Sequence, residues 1–90
     1  MVKLKNKIII RFRTEKEFNK ILDLFPNTYN TFYNYKEMRQ TRKTSDLQVL
    51  IRNGNINGYG SLSSYTKYSP EIYQFIDIND IIKSEIIEIW

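Results

Sequence analysis

Residues 2–13 alternate with a period of two: Val2, Leu4, Asn6, Ile8, Ile10 and Phe12 fall on one side, and Lys3, Lys5, Lys7, Ile9, Arg11 and Arg13 on the other. Successive side chains of a strand point to opposite faces, so the pattern predicts one half-buried strand, long or central in its sheet, with an apolar face and a face of five cations. The period then changes. Thr14-Glu15-Lys16-Glu17 has the form of a capping box, with acidic residues at the positive end of the helix it starts. Phe18, Ile21, Leu22 and Phe25 recur at i, i+3, i+4 and i+7, one buried stripe of a helix from Thr14 to Phe25, and Pro26 stops it for want of a backbone donor.

Residues 27–38 are rich in Tyr, Phe, Thr and Asn, which favours a second strand, and residues 39–46 form a polar stretch that reads as a hairpin loop. Leu47-Gln48-Val49-Leu50-Ile51-Arg52 is a third strand and residues 59–65 a fourth. Between them lies Arg52-Asn53-Gly54-Asn55-Ile56-Asn57-Gly58-Tyr59-Gly60, which holds all three glycines of the chain. A phosphate cradle needs a glycine-rich turn that enters a helix N-terminus, whereas strand-like residues follow this one and its glycine spacing fits neither nucleotide fingerprint. Asn53-Gly54 is instead a hairpin signal, because both residues accept the positive φ of a type I′ turn, and Asn57-Gly58 offers a second turn or a bulge. Residues 71–78 read as a fifth strand, Asn79-Asp80 as the cap of a short helical turn over 81–84, and residues 85–90 fit strand or helix equally.

The expected fold is therefore a single small α+β domain in the order β-α-β-β-β-β, a mostly antiparallel sheet with one helix packed on one face. Ninety residues suffice for one domain and leave little room for a deep cleft. No run approaches the roughly 20 apolar residues of a membrane span, and no signal-peptide pattern opens the chain, so a cytoplasmic protein without membrane contact is expected.

Composition narrows the chemistry. With no Cys and no His, the chain lacks thiolate and imidazole nucleophiles and the usual zinc ligands, and no cofactor motif is present. The acidic group Asp77, Asp80, Glu85 and Glu88 matches no metal-binding spacing and reads as a solvated edge. The net charge of +4 is uneven, with thirteen Lys/Arg against five Asp/Glu over residues 1–67 and one Lys against five Asp/Glu over 68–90. Such halves either pair within the fold or leave a basic surface for an anionic partner.

Two constellations qualify as sites. Tyr29, Phe32, Tyr33 and Tyr35, followed by Lys36, Arg39, Arg42 and Lys43, combine aromatic anchors with cations, as core packing, a protein contact or nucleic-acid stacking would require. A protein contact here would centre on Tyr33 and Tyr35 with Arg39, Arg42 and Lys43 as its rim. The stripe Lys3, Lys5, Lys7, Arg11 and Arg13 would attract phosphate if alternation put it on one sheet face.

The chain uses fourteen Ile and nine Asn but no Ala, the mark of an AT-rich coding sequence. In this composition, its length of about ninety residues, a compact α+β character and the lack of a catalytic motif, it resembles the small accessory proteins of low-GC phages and mobile elements, including anti-CRISPR proteins. That resemblance implies a non-enzymatic module that binds and inhibits a host protein such as a nucleic-acid-processing defence effector. The basic bulk departs from the acidic, DNA-mimicking members of that group. Direct binding of nucleic acid or a nucleotide by the basic sheet face is the alternative expectation.

Overall fold

The computed structural model describes residues 2–26, 34–43, 46–61, 68–83 and 87–89. Their elements run β1 (Val2–Leu4), β2 (Lys7–Phe12), α1 (Glu15–Leu24), α2 (Tyr35–Thr41), β3 (Leu47–Arg52), β4 (Asn55–Ser61), β5 (Gln74–Asp77), α3 (Ile78–Ile82) and β6 (Ile87–Ile89). This is an α+β fold whose main sheet is antiparallel but for one parallel pair, and the described residues form three helices where the expected order had one. The main sheet has the order β4-β3-β2-β5, with β3 antiparallel to both β2 and β4, and β5 parallel to β2. A parallel neighbour requires a crossover, which is why β5 lies far along the chain from β2.

The expected first strand is two strands. β1 leaves the main sheet and pairs in parallel with β6, which also resolves part of the ambiguous C-terminal stretch as strand. The break falls at Lys5-Asn6, where a polar Asn interrupts the apolar set. The Gln74 side chain clamps it there by accepting from Lys5 N and donating to Lys3 O, each at 2.9 Å, while Asn6 O accepts from Asn53 N at 2.8 Å. One carboxamide thus stands in for the strand ladder where the chain turns away.

In β2 the alternation holds, and the strand is central. Ile8, Ile10 and Phe12 face Ile51, Val49 and Leu47 across β3 and join Phe18, Ile21, Phe25, Met38, Ile78 and Ile81 in the main core. The three described helices therefore lie on this face of the sheet, and among the described residues no helix covers the other face. α1 begins where expected, with both bonds of the capping box formed (Glu17 N to Thr14 Oγ1 at 3.1 Å, Thr14 N to Glu17 Oε1 at 3.2 Å), and ends with Phe25 N donating to Ile21 O before Pro26. Leu22 is only half-buried, at the border of the stripe.

Residues 27–33 of the expected Tyr-rich strand lie outside the described residues, and those from 35 on form helix α2 instead. The physical reason is Asn34: its side chain accepts from Glu37 N at 2.9 Å, an N-cap that overrides the strand preference of the Tyr and Asn around it. α2 also takes the start of the expected 39–46 loop, since it runs to Thr41. The hairpin between β3 and β4 is as expected, with Asn53 at φ 53° and Gly54 at φ 81°. β4 starts directly after it, earlier than the sequence suggested, and the register shift opposite Leu50 and Ile51 makes Asn57 the extra residue of a bulge. The cap of α3 is Asp77, not Asn79 or Asp80.

Truncating Ile21, which has no exposed surface, to Ala should cost about 2–5 kcal/mol, whereas Thr14→Ala should cost about 0.5–2 kcal/mol through the cap alone. Urea melts of the two variants check the order.

Candidate functional site

Polar side chains converge at the C-terminal end of β2. Arg11 Nη2 donates to Asp46 Oδ2 at 2.6 Å, and Arg13 spans both acids, its Nε 3.1 Å from Asp46 Oδ1 and its Nη2 2.7 Å from Asp77 Oδ2. Asp77 ends β5 and caps α3 by accepting from Asn79 N at 3.0 Å. The backbone of Arg13 is held as tightly: its N–H donates to Glu17 Oε1 at 2.7 Å, and its carbonyl accepts from Tyr35 OH at 3.1 Å and from the Arg39 guanidinium. Arg39 Nε donates to the same Tyr35 hydroxyl at 2.7 Å, and Glu17 Oε2 accepts from Asn79 Nδ2 at 2.9 Å. Two arginines and two aspartates cancel in charge, and the network ties β2, α1, α2, α3 and the entry to β3 together.

The hydrogen bond from Arg13 holds the Asp77 carboxyl below its ordinary range, against an opposing desolvation effect, with further lowering from Asn79 N–H and Arg11. Arg13 is raised in turn, first by the same bond to Asp77. The chemistry of the cluster is mutual neutralisation, and among the described residues no three acidic groups gather as metal ligands.

These positions redraw both candidate sites. Arg11 and Arg13 are ion-paired with Asp46 and Asp77, so two of the five cations of the expected stripe are neutralised within the fold. Lys3 and Lys5 belong to the segment that leaves the main sheet, while Lys7 and Arg11 lie within β2 on the face opposite the helices. Of the aromatic constellation, Tyr33 lies outside the described residues, Tyr35 packs at 6.4 Å from Phe12, and Arg39 lies over the Tyr35 ring at 5.3 Å. Arg42 covers Tyr59 at 5.8 Å, and Lys43 is exposed. Arg13, Tyr35 and Arg39, assigned to two different sites from the sequence, thus meet in one network.

The helix-free face of the sheet carries what sequence reasoning missed. Ile9 and Leu50, register partners in β2 and β3, are buried there beneath Tyr68 and Tyr73, whose rings meet edge-on at 4.9 Å. Arg52 lies over the Tyr73 ring at 5.6 Å and donates to its hydroxyl. Beside them Ile72 is 55% and Phe75 41% exposed, two of the three exposed large apolar side chains among the described residues. The signal was available in Gln74-Phe75-Ile76-Asp77, where the period of two alternates Phe75 and Asp77 away from the core-facing Ile76.

Comparison with family models, curated proteins and solved structures gives no match. None of the described helices is long and apolar enough to cross a membrane.

Asp77→Asn keeps a capping side chain but removes the charge, so it should lower stability at neutral pH by about 1 kcal/mol, an ion-pair effect reduced by partial exposure. Because the folded-state pKa of Asp77 is depressed, its contribution is present above the ordinary carboxylate range and is lost as pH falls through the folded value. The difference in urea midpoint between wild type and Asp77→Asn should shrink as acidity rises from neutral pH through that range; a difference constant with pH would exclude the ion pair as its source.

Proposed function

We propose that the protein is a non-enzymatic binding module that engages and inhibits a protein partner, and that the contact is the helix-free face around Tyr68, Tyr73 and Phe75. The observation that carries this reading is the exposed Phe75 of β5 near a Tyr73–Arg52 stack, with Ile72 exposed in the turn before the strand. Tyr, Phe and Arg in a compact patch are the residue types that dominate protein interfaces, because rigid rings bury much area with few rotors to fix. The resemblance to phage and mobile-element accessory proteins supplies the kind of partner, a host protein such as a nucleic-acid-processing effector. It also fits a chain whose Arg, Asp and Glu side chains at the β2 end are engaged with one another.

Direct nucleic-acid binding draws on what remains of the basic face. Lys7 and Arg52 are register partners on neighbouring strands, and both are exposed. With Arg11 and Arg13 neutralised by aspartates, that field is weaker than the sequence implied, and salt separates the readings: phosphate binding falls steeply with salt, while an aromatic-centred contact persists.

The test starts from a host protein captured on the immobilised chain and identified, followed by titration of purified variants with that protein. Phe75→Ala and Tyr73→Ala should each weaken binding by about 2 kcal/mol or more, and Arg42→Ala and Lys43→Ala by less than about 1 kcal/mol, with circular dichroism verifying each fold. Equal affinities across all four variants would move the contact off this face. Loss confined to Arg42→Ala and Lys43→Ala would return it to α2 and the residues after it.

A further inference from the structure

Within that face lies a pocket of about 200 Å³ lined by Arg11, Gln48, Phe75, Ile76 and Asp77. Two polar atoms of its lining residues, each with almost no exposed surface, have no hydrogen-bond partner within the chain: Gln48 Oε1, on a residue only 8% exposed, and Arg11 Nε. The oxygen of Asp77 closest to Arg11 Nε stands 3.9 Å away, beyond hydrogen-bond reach, and the guanidinium serves Asp46 through Nη2 instead. Arg11 and Gln48 are register partners in β2 and β3, so the two atoms belong to side chains that stand next to each other on the same face. An acceptor that lacks a donor thus adjoins a donor that lacks an acceptor, and the two do not satisfy each other. Buried polar groups are almost always paired, with protein, ordered water or a ligand, so these two atoms mark a place where a further polar group can bind.

We propose that the pocket is a receptor for a neutral planar amide, the carboxamide of an Asn or Gln side chain presented by the protein partner. The partner's N–H donates to Gln48 Oε1, its C=O accepts from Arg11 Nε, and the flat group lies against the Phe75 ring. This inference rests on the reading of the face as a protein contact and deepens it by naming the group recognised. Three observations favour an amide over other ligands. The charges around the pocket cancel, two arginines against Asp46 and Asp77, so a carboxylate or phosphate would find no unpaired cation while a neutral group leaves the ion pairs intact. The volume is below the several hundred Å³ of a pocket for drug-sized molecules and admits one small planar group. Phe75 is an exposed aromatic ring on an edge strand, so it can turn to admit the ligand by a rotamer change, as interface side chains commonly do.

The same H–N–C=O edge occurs in a nucleobase such as uracil. A nucleic acid, however, gains most of its affinity from phosphate contacts, and the cations nearest this pocket are already paired.

The experiment is a titration of the ¹⁵N-labelled chain, without partner, with benzamide, acetophenone, benzoate and oligouridine. Benzamide should shift the Gln48 side-chain amide and Arg11 Nε–H signals and bind roughly ten-fold tighter than acetophenone, which keeps the ring and carbonyl but has no N–H. Benzoate should bind no better than acetophenone. Gln48→Met should abolish the preference for benzamide while leaving the urea midpoint unchanged or raised, since it replaces an unpaired buried oxygen by an apolar group of similar size. Equal binding of benzamide and acetophenone, or a lowered Gln48→Met midpoint, would overturn the amide receptor. So would oligouridine binding tighter than benzamide with a steep salt dependence, which would assign the pocket to a base. Partner binding that is lost in Phe75→Ala while benzamide moves no signal would overturn the receptor alone and leave the protein-contact reading in place.

Discussion

Arg13 is the residue on which the arrangement of the helices depends. It stands one residue past the central strand, and from there its backbone N–H receives the α1 capping box, its carbonyl receives α2 through Tyr35 and Arg39, and its guanidinium receives Asp77 at the start of α3. A core of aliphatic side chains specifies burial but not the angle or order in which short helices meet a sheet. Directional, charge-assisted bonds from three helices to one residue supply that information. The helices need it: α2 has seven residues and α3 five, too short to be stable by themselves. Each is held instead by a side-chain cap at its start, Asn34 or Asp77, by buried Met38 or Ile81, and by a tie to this network.

The same convergence divides the molecule into two faces with different work. All three helices and most of the aliphatic core occupy one side of the sheet, and the strongest charges are consumed at its end. On the other side, among the described residues, Tyr68, Tyr73 and the turn on Ser69, whose carbonyl accepts from Ile72 N and Tyr73 N, lie over Ile9 and Leu50. A thin aromatic cover over a small apolar floor leaves the Phe75 ring exposed above a buried, unpaired Gln48 oxygen, where recognition is possible without dismantling the core. Our functional account follows from this asymmetry.

How much of this could be read in advance differs by element and for physical reasons. α1 was legible from Thr14 to Phe25 because cap, stripe and Pro26 agree, and the Asn53-Gly54 turn was legible because its backbone demand is local. The break at Lys5-Asn6 was less so: Asn6 interrupts the apolar set, but the side chain that clamps the break, Gln74, lies more than sixty residues along the chain. α2 was missed because a Tyr- and Asn-rich composition outweighed Asn34-Tyr35-Lys36-Glu37, in which the Asn-x-x-Glu spacing of a helix start was in view. The parallel pairing of β5 with β2 has no local signal at all. Charge asymmetry did announce that the halves could pair: Asp77, from the acidic C-terminal stretch, binds Arg13 from the basic part. Which cations would be neutralised depended on register, Arg11 being set beside Asp77 by the alignment of β2 with β5. The stripe and the Tyr cluster were therefore visible as residues but not as a network, and the patch at Tyr73 and Phe75 emerged only when the helices were seen to cover the other face.

The central claim is that recognition uses the helix-free face, and hydrogen–deuterium exchange of the chain alone and in complex with its captured partner tests it most directly. The account predicts new protection over residues 68–77 on complex formation, with residues 35–43 unchanged. Protection confined to 35–43, with 68–77 exchanging as in the free chain, would contradict it.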